Sequence, residues 1–189
     1  LVTTQLKGQD PLDPVKNGAF VAQLAQFSQL EATTSMDQTL KTFVDSMSGE
    51  RMMSSTNMIG KTVAVPNAPA VYANDKPVQG LIPLPTGASG LQIQVTNDKG
   101  QVVATQILGP QTAGDMPLYW DGSDDSGNKV PDGIYNFTAT AVVQGKNTNP
   151  AVSILSTVTG VNQASDKTIM LEVAGGKSVK LTDVQRIGG

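Results

Sequence analysis

A chain of 189 residues is long enough to bury a substantial core and corresponds to one or two domains. Its net charge of −3 provides no basic surface for nucleic acid or anionic lipid, so we expect neither as a partner. Cysteine and histidine are both absent from the sequence, which excludes disulfides, the usual zinc sites, cysteine nucleophiles and Ser-His-Asp triads. Most enzyme classes are thereby excluded, although chemistry by a pair of carboxylates remains open.

The chain carries no sequence signal for membrane insertion. No stretch approaches the roughly 18 consecutive apolar residues of a membrane helix. The opening residues, LVTTQLKGQDP, lack the basic and apolar regions of a secretory signal. Because the first residue is Leu and not Met, we expect a processed or trimmed chain.

Residues 17–47 have the composition of a helix, with no proline and frequent alanine, glutamine and leucine. Asn17 is a candidate N-cap, so a helix is predicted over residues 18–47. The small polar residues of GERMMSSTN, residues 49–57, predict a linker after it.

Apolar side chains recur at helical spacing in two sets within this predicted helix. The sets are Phe20, Leu24, Phe27 and Leu30, followed by Met36, Leu40, Phe43 and Met47. The second set steps by four, three and four, which is the rhythm of a coiled coil. At about 100° per residue, the two sets fall on nearly opposite sides of a helix.

Two structures are compatible with this pattern. Either one helix presents apolar faces in two directions, or it breaks near residues 32–35, where threonines and a serine weaken helix propensity. The sets could also pack on the later part of the same chain. Their neutral glutamine and threonine flanks favour a protein-contact surface instead.

The remainder of the chain reads as short strands separated by turns. Alternating or apolar runs predict strands at 59–65, 78–84, 91–96, 101–107, 116–120, 134–143, 152–158, 168–173 and 179–187. Strands of this number and length are typical of β-sandwiches and barrels.

Residues 118–137, LYWDGSDDSGNKVPDGIYNF, place four aspartates beside the only tryptophan of the chain. Counted as a calcium loop from Asp121, the stretch has Ser126 where the loop needs glycine, and Asp132 in place of the bidentate glutamate. As a glycosidase pair, the acids share one short segment and lack an aromatic platform for sugar.

The same stretch also fits consecutive turns between two strands. Its glycines and Pro131 supply turn positions, and its aspartates can cap loop amides. Trp120 is predicted to be buried as structural core beside Tyr135 or Phe137.

Two segments resemble one protein family. Residues 120–141, WDGSDDSGNKVPDGIYNFTATA, are similar to the signature of the bacterial flagellar hook-capping family, also called the basal-body rod modification or hook assembly protein family. Residues 4–31, TQLKGQDPLDPVKNGAFVAQLAQFSQLE, resemble the N-terminal motif of that family more closely still. Together with Ile59-Gly60-Lys61 and the closing run 179–187, the resemblance covers nearly the whole chain.

The resemblance implies a mainly β fold with an α-helical N-terminal arm, in which a fibronectin type III-like β-sandwich is inserted into a Tudor-like β-barrel. Residues 1–56 would form the helical assembly and export arm with its linker. Residues 57–86 plus 151–189 would form the split barrel, and residues 87–150 the inserted sandwich. The acidic stretch then joins two strands of the sandwich, which favours the turn interpretation.

The resemblance implies a scaffold without a cofactor, not an enzyme. Such a protein is exported through the flagellar type III apparatus and forms a homo-oligomeric cap on the rod tip and the distal end of the growing hook. It promotes polymerisation of the hook protein and is displaced when the hook is complete. The alternative is a cell-surface carbohydrate-binding or adhesive β-sandwich module, which would need exposed aromatic side chains near a calcium or acid cluster.

Overall fold

A computed structural model of the chain describes residues 14–186. The chain divides into two compact units, the first ending at Gly49 and the second beginning at Glu50. The elements of the described residues, in chain order, are α1 (Pro14–Ser55), a 3-10 turn (Thr56–Met58), β1 (Thr62–Pro66), β2 (Ala70–Tyr72), β3 (Val78–Leu84), β4 (Gly90–Thr96), β5 (Val102–Leu108), β6 (Gly114–Trp120), β7 (Gly133–Val143), β8 (Lys146–Thr148), β9 (Ser153–Gln163), β10 (Ile169–Val173), β11 (Lys177–Lys180), a second 3-10 turn (Leu181–Asp183) and β12 (Gln185–Arg186).

Helix α1 is longer than the sequence predicts at both ends. It begins at Pro14, so Asn17 lies inside the helix and the predicted N-cap is wrong. Proline suits the first helical position, because the N–H that it lacks would have no partner there. The predicted linker at 49–57 is also wrong, since the helix runs on to Ser55. Gly49 weakens a helix by only about 1 kcal/mol, and the residues just after it are good helix formers.

The helix is continuous through residues 32–35, where a break was one of two possibilities. The hydroxyl of Thr33 donates to the carbonyl oxygen of Gln29 at 2.8 Å, and that of Thr34 donates to the carbonyl oxygen of Leu30 at 2.9 Å. These side chains therefore find a partner one turn back, which lets β-branched residues stay within the helix.

The strands form two sheets. The larger sheet has seven strands in the order β11-β10-β9-β1-β12, with β3 joined to β9 and β6 joined to β3. The smaller sheet has five strands in the order β2-β7-β4-β5, with β8 also paired to β7. All of the pairs are antiparallel. Strand pairing among residues 14–186 leaves both sheets open and closes neither into a barrel.

Seven of the nine predicted strands are confirmed to within a few residues, and the prediction over 78–84 has the observed bounds. Strand β9 is longer than predicted, and the last predicted strand is instead β11, a 3-10 turn and the short β12, with Ile187 outside the described residues. Strands β2 and β8 were missed because three residues are too few to show an alternating pattern.

A single apolar core lies between the strands. Alternate residues of each sheet are buried, as in β3 and β4, and they form one cluster drawn from residues 63–173. Strands β3 and β9 approach closely at Gly80, where an added Cβ would lie 2.4 Å from the backbone oxygen of Ser153. Glycine at this position is what allows β3 to pair with β9.

The predicted fold class, mainly β with an N-terminal helix, is confirmed. Strand pairing nevertheless crosses the boundary predicted at residue 86. Strand β2 pairs with β7 in the smaller sheet, and β3 pairs with β6 along its whole length. The segment 70–84 therefore contacts strands predicted for the inserted sandwich as well as strands predicted for the barrel.

Candidate protein-interaction site

Helix α1 exposes both of the predicted apolar sets. We call Phe20, Leu24, Phe27 and Leu30 the first stripe, and Met36, Leu40, Phe43 and Met47 the second stripe. Every one of these eight side chains is exposed, with fractions from 39% at Met47 to 75% at Phe27. Val21 and Val44, which the sequence pattern did not single out, are exposed beside them at 63% and 51%.

The continuity of α1 fixes the angle between the two stripes. Met36 follows Phe20 by 16 residues, a rotation of about 160° at about 100° per residue. The stripes therefore lie on nearly opposite sides of one helix. Their centres are separated by roughly 25 Å along the axis, at about 1.5 Å per residue.

Charged side chains border both stripes. Residues 17–30 include no charged side chain, but Lys16 and Glu31 lie on the face of the first stripe, about 40° and 20° from Phe20. Beside the second stripe, Asp37 and Lys41 form an ion pair of 2.7 Å between carboxylate and ammonium. Both partners are well exposed, so the pair adds little to helix stability and mainly makes this flank polar.

Residues 121–132, which join β6 to β7, form the acidic loop, and its carboxylates accept hydrogen bonds from backbone amides. Asp121 Oδ1 accepts from the Ser123 N–H at 2.9 Å, and Asp124 Oδ1 accepts from the N–H groups of Ser126 and Asn128 at 2.9 Å each. Within residues 14–186, no group of three acidic side chains is placed to hold a metal ion. The loop is a series of side-chain-capped turns.

Two further aspartates of this loop bind distant parts of the chain. Asp125 N–H donates to the carbonyl oxygen of Val103 at 3.1 Å, and its Oδ1 accepts from the Thr105 N–H at 2.8 Å. Asp132 Oδ2 accepts from the Asn74 N–H at 3.2 Å. Sequence reasoning missed these bonds, since no local pattern signals a partner 20 or 58 residues away.

The aromatic residues predicted for the core lie together. Trp120 is 2% exposed, and its ring centroid is 5.2 Å from that of Tyr135 and 5.5 Å from that of Phe137. Tyr72, not singled out in the sequence, is the nearest further ring at 5.4 Å. Trp120 Nε1 donates to the carbonyl oxygen of Ser123 at 2.9 Å, which attaches the start of the acidic loop to this cluster.

The Tyr135 hydroxyl donates to the carbonyl oxygen of Pro131 at 2.6 Å, which fastens the end of the same loop. Burial, and then the charges of Asp98 and Asp132, raise the pKa of Tyr135. A tyrosine hydroxyl carries its proton at neutral pH, so it can donate this hydrogen bond.

Tyr72 sits over the glycine at the start of the acidic loop. Gly122 has φ +85°, and an added Cβ would lie 2.1 Å from Cζ of the Tyr72 ring. The Tyr72 hydroxyl donates to Asp75 Oδ1 at 2.8 Å. That hydrogen bond, then burial and the neighbouring carboxylates, raise the pKa of Tyr72 to about 12. Only glycine fits beneath this ring.

Lys129 supplies the positive charge in this region. Its Nζ donates to the carbonyl oxygen of Asp121 at 2.5 Å and lies 3.6 Å from Asp121 Oδ2 and 3.5 Å from Asp75 Oδ1. The N–H and hydroxyl of Ser123, with a smaller effect of Lys129, lower the pKa of Asp121. The loop is thus held by several mutually supporting polar contacts.

No helix in the described part of the chain is long and apolar enough to cross a membrane.

Two family models match the chain. The model described as "Flagellar hook capping protein - N-terminal region" matches residues 1–42, which include the whole first stripe. The model described as "FlgD Ig-like domain" matches residues 68–145, which include the aromatic cluster and the acidic loop. The carbohydrate-binding alternative is not supported, because one matched model describes a flagellar hook-capping protein and the other a FlgD domain.

Individual relatives agree with the models. The basal-body rod modification protein FlgD of Buchnera aphidicola is 31% identical over 147 residues, which are 78% of this chain and 62% of that protein. The chain thus spans less than two thirds of the length of this relative. The crystal structure of FlgD from P. aeruginosa is 34% identical, with a TM-score of 0.63 over 69% of this chain and 98% of that one.

A second solved structure shares the fold. FlgD from Xanthomonas campestris, whose crystal structure is described as giving insights into hook capping essential for flagellar assembly, is 24% identical. It aligns with a TM-score of 0.63 over 73% of this chain and 99% of that one. With both family models matched in order along the chain and a 34% identical FlgD structure covered almost completely, the chain belongs to the flagellar hook-capping family, the FlgD basal-body rod modification proteins.

Proposed function

We propose that this protein is a flagellar hook cap, a scaffold at the tip of the growing hook that promotes polymerisation of hook protein subunits and is displaced when the hook is complete. The observation that carries the proposal is the pair of exposed apolar stripes on α1. Soluble proteins rarely leave apolar stripes of this size exposed unless another protein covers them. Family membership supports the same function, because related chains are named for rod modification and hook capping.

The proposed mechanism divides the work between the two compact units. The helical arm, α1, contacts other cap subunits and the hook or rod, while the β unit frames a chamber in which each new hook subunit is placed. The buried cluster of residues 63–173 gives the β unit a core of its own. Neutral arm contacts also suit a cap that moves as subunits add, since they contain few desolvated charge pairs that are costly to separate.

The division into a split Tudor-like barrel and an inserted fibronectin type III-like sandwich is also a proposal. Strand pairing supports a sandwich that begins earlier than residue 87, because β2 and β3 pair with β7 and β6. The Ig-like family model, which matches residues 68–145, supports the same earlier start. The barrel would then use β1 and strands β9 to β12, which adjoin one another in the larger sheet.

Location and route follow from the same proposal. A hook cap acts at the distal end of the rod and hook, outside the cell, and reaches it through the flagellar type III export apparatus. Its partners are the hook protein, the rod tip, the export apparatus and other copies of itself. As a scaffold it uses no cofactor and acts through contact surfaces, not catalysis.

The experiment removes the first stripe in cells. A variant carrying Phe20→Ser, Leu24→Ser and Phe27→Ser should leave cells with rods but without hooks. Burial of one such side chain contributes roughly 1.5 to 3 kcal/mol, so the loss of three would weaken assembly by orders of magnitude. The matched control is Ile107→Ser on β5, which removes a side chain that is 80% exposed on the β unit. The control should assemble hooks normally.

Because the opening residues also serve the proposed export step, each variant must be detected in the culture medium. An exported triple variant that supports normal hooks would contradict the assignment of the first stripe to assembly.

A further inference from the structure

One edge strand of the β unit lacks the features that keep strand edges from pairing. Among the described residues, the sheets end at β2, β5, β6, β8, β11 and β12. Proteins protect such edges with very short strands, with lysines or other charges, and with prolines. β2, β8 and β12 have two or three residues each. β6 contains Asp115 and Pro117, and β11 contains two lysines, Lys177 and Lys180. β5 has seven residues and none of these features.

The composition of β5 favours pairing with another strand. Its sequence, VVATQIL, combines high β propensity with no charge, no proline and no glycine. Segments of six or seven residues with this composition are the ones that most readily join strands of other chains. Two of its apolar side chains are also well exposed, Val102 at 51% and Ile107 at 80%. The free edge of β5 therefore needs protection from outside the strand.

The acidic loop supplies that protection through Asp125. The Asp125 N–H donates to the carbonyl oxygen of Val103 at 3.1 Å, and Asp125 Oδ1 accepts from the Thr105 N–H at 2.8 Å. β4 pairs with the opposite edge of β5. An antiparallel neighbour would use the same carbonyl and N–H groups, which point away from β4. Asp125 therefore takes the place of a strand at the centre of this edge.

A short turn holds Asp125 in this position. The Gly127 N–H donates to the carbonyl oxygen of Asp124 at 3.0 Å, so residues 124–127 form a β-turn with Asp125 at its second position. The Asp124 N–H donates to the carbonyl oxygen of Asn128 at 2.8 Å, which closes a narrow hairpin below the turn. We call residues 124–127 the loop tip. The tip belongs to no strand of either sheet, so its removal breaks no strand pairing.

The strand best suited to the edge of β5 is β5 of a second copy. Two copies related by a two-fold axis through Thr105 would run antiparallel, with Thr105 opposite its counterpart and Val103 opposite Ile107. β-branched side chains would then face each other across the pair, which stabilises an antiparallel sheet. Because β5 carries no charge, no like charges would be brought together.

We propose that the loop tip is an autoinhibitory contact: by binding Val103 and Thr105, Asp125 keeps the edge of β5 closed to β5 of a second copy. Loss of the tip opens a homotypic contact of the β unit that does not involve α1. This inference goes beyond the proposed cap function and does not depend on it.

Shortening the loop in the full chain tests the proposal. Replacing residues 124–127 by Asn-Gly, a preferred two-residue hairpin turn, shortens the tip and removes both contacts with β5. Sedimentation velocity compares the self-association of this variant with that of the parent, which accounts for any association through the arm. We expect the variant to associate at least about tenfold more tightly. Its Thr105 amide should exchange faster than in the parent in dilute solution and become protected as the concentration rises.

Asp125→Pro removes the same two bonds and keeps the length of the loop. Proline suits the second position of a β-turn, and it has neither the N–H nor the carboxylate. We expect tighter self-association in this variant too. The matched control is Asp132→Ala, which removes another long-range bond of the acidic loop, that to the Asn74 N–H, but leaves β5 covered. The control should associate no more tightly than the parent.

A proline in β5 determines whether this strand makes the contact. The Thr105 N–H donates to Asp125 and not to β4, so Thr105→Pro leaves the pairing with β4 intact and blocks the centre of the proposed pair. Combined with the shortened loop, Thr105→Pro should return self-association to the level of the parent. In the parent loop it should leave self-association unchanged.

Circular dichroism and Trp120 fluorescence establish that each variant is folded. Three results would overturn the proposal: no gain of self-association in a folded variant that lacks both contacts, a gain that persists with Thr105→Pro, or an equal gain in Asp132→Ala. None of them bears on the cap function, which is tested separately by the presence of hooks on cells that export the first-stripe variant.

Discussion

Replacing Gly122 by alanine tests whether the turn beneath Tyr72 is fixed by space as well as by backbone conformation. The backbone at Gly122 has φ +85°, a left-handed conformation that disfavours any Cβ by roughly 1 to 2 kcal/mol. The new Cβ would also lie 2.1 to 2.4 Å from the Cζ, Cε2 and hydroxyl oxygen atoms of Tyr72. Overpacking of this kind costs about 1 to 3 kcal/mol. We therefore expect Gly122→Ala to destabilise the fold by roughly 2 to 5 kcal/mol.

Gly127→Ala is the matched control within the same loop. Its φ is +84°, almost identical to that of Gly122, but no atom lies within 4 Å of the position of an added Cβ. The two variants share the backbone effect and the effect of alanine on the unfolded chain. The difference between them therefore measures the steric overlap with Tyr72 alone. It should be about 1 to 3 kcal/mol, with Gly122→Ala the less stable.

Urea unfolding monitored by Trp120 fluorescence measures both variants, since the single tryptophan lies 5.4 Å from the Tyr72 ring. Equal free energies of unfolding for the two variants, within about 0.5 kcal/mol, would refute the argument. They would mean that the Tyr72 ring can move away from the new methyl group without a cost in folding free energy.

Three further outcomes are expected. Asp125→Ala should speed hydrogen exchange at the Thr105 amide and cost about 1 to 2 kcal/mol, because a donor loses its acceptor; unchanged exchange would show that the carboxylate is dispensable. The pKa of Asp121 is lower in the folded state than in the unfolded chain, so the Asp121 carboxylate stabilises the fold fully above the unfolded pKa near 3.9, and this stabilisation is lost as the pH falls through the folded pKa. Asp121→Asn should therefore make the free energy of unfolding depend less on pH in acid. An unchanged acid dependence would contradict this. The pKa of Tyr72 is raised to about 12 in the folded state, so the Tyr72 hydroxyl stabilises the fold fully below about pH 10, and this stabilisation is lost as the pH rises through about 12. Tyr72→Phe should therefore remove this loss of stability at alkaline pH. The same loss of stability in the variant would contradict the argument.

Sequence periodicity predicted the elements whose residues repeat a pattern for long enough to be recognised. The two stripes predicted a helix, and the alternation in 78–84 gave the observed bounds of β3. Short elements gave no such signal. Strand β2 has three residues and exists because Ala70 and Tyr72 pair with residues more than 60 positions further along the chain. Its tyrosine, which completes the aromatic cluster around Trp120, was missed for the same reason.

Local propensity failed where neighbouring residues outweighed a single signal. Asn17 is a good N-cap residue, but Pro14 already starts the helix three residues earlier. Gly49 suggests a linker, although the residues around it favour continued helix. In the acidic loop, residue types predicted capped turns, whereas the distant contacts of Asp125 and Asp132 depend on how the loop folds back on the sheets. Contacts of this kind are properties of the tertiary structure, and a single sequence does not specify them.

The contact of Asp125 with β5 affects how another strand could pair with this edge of the sheet. Among the described residues β5 pairs with one strand only, β4, and Asp125 engages the backbone of Val103 and Thr105 on its other side. Exposed strand edges join other edges with little regard to sequence, because every backbone offers the same groups. A loop residue that occupies this edge leaves side chains as the means of recognition there.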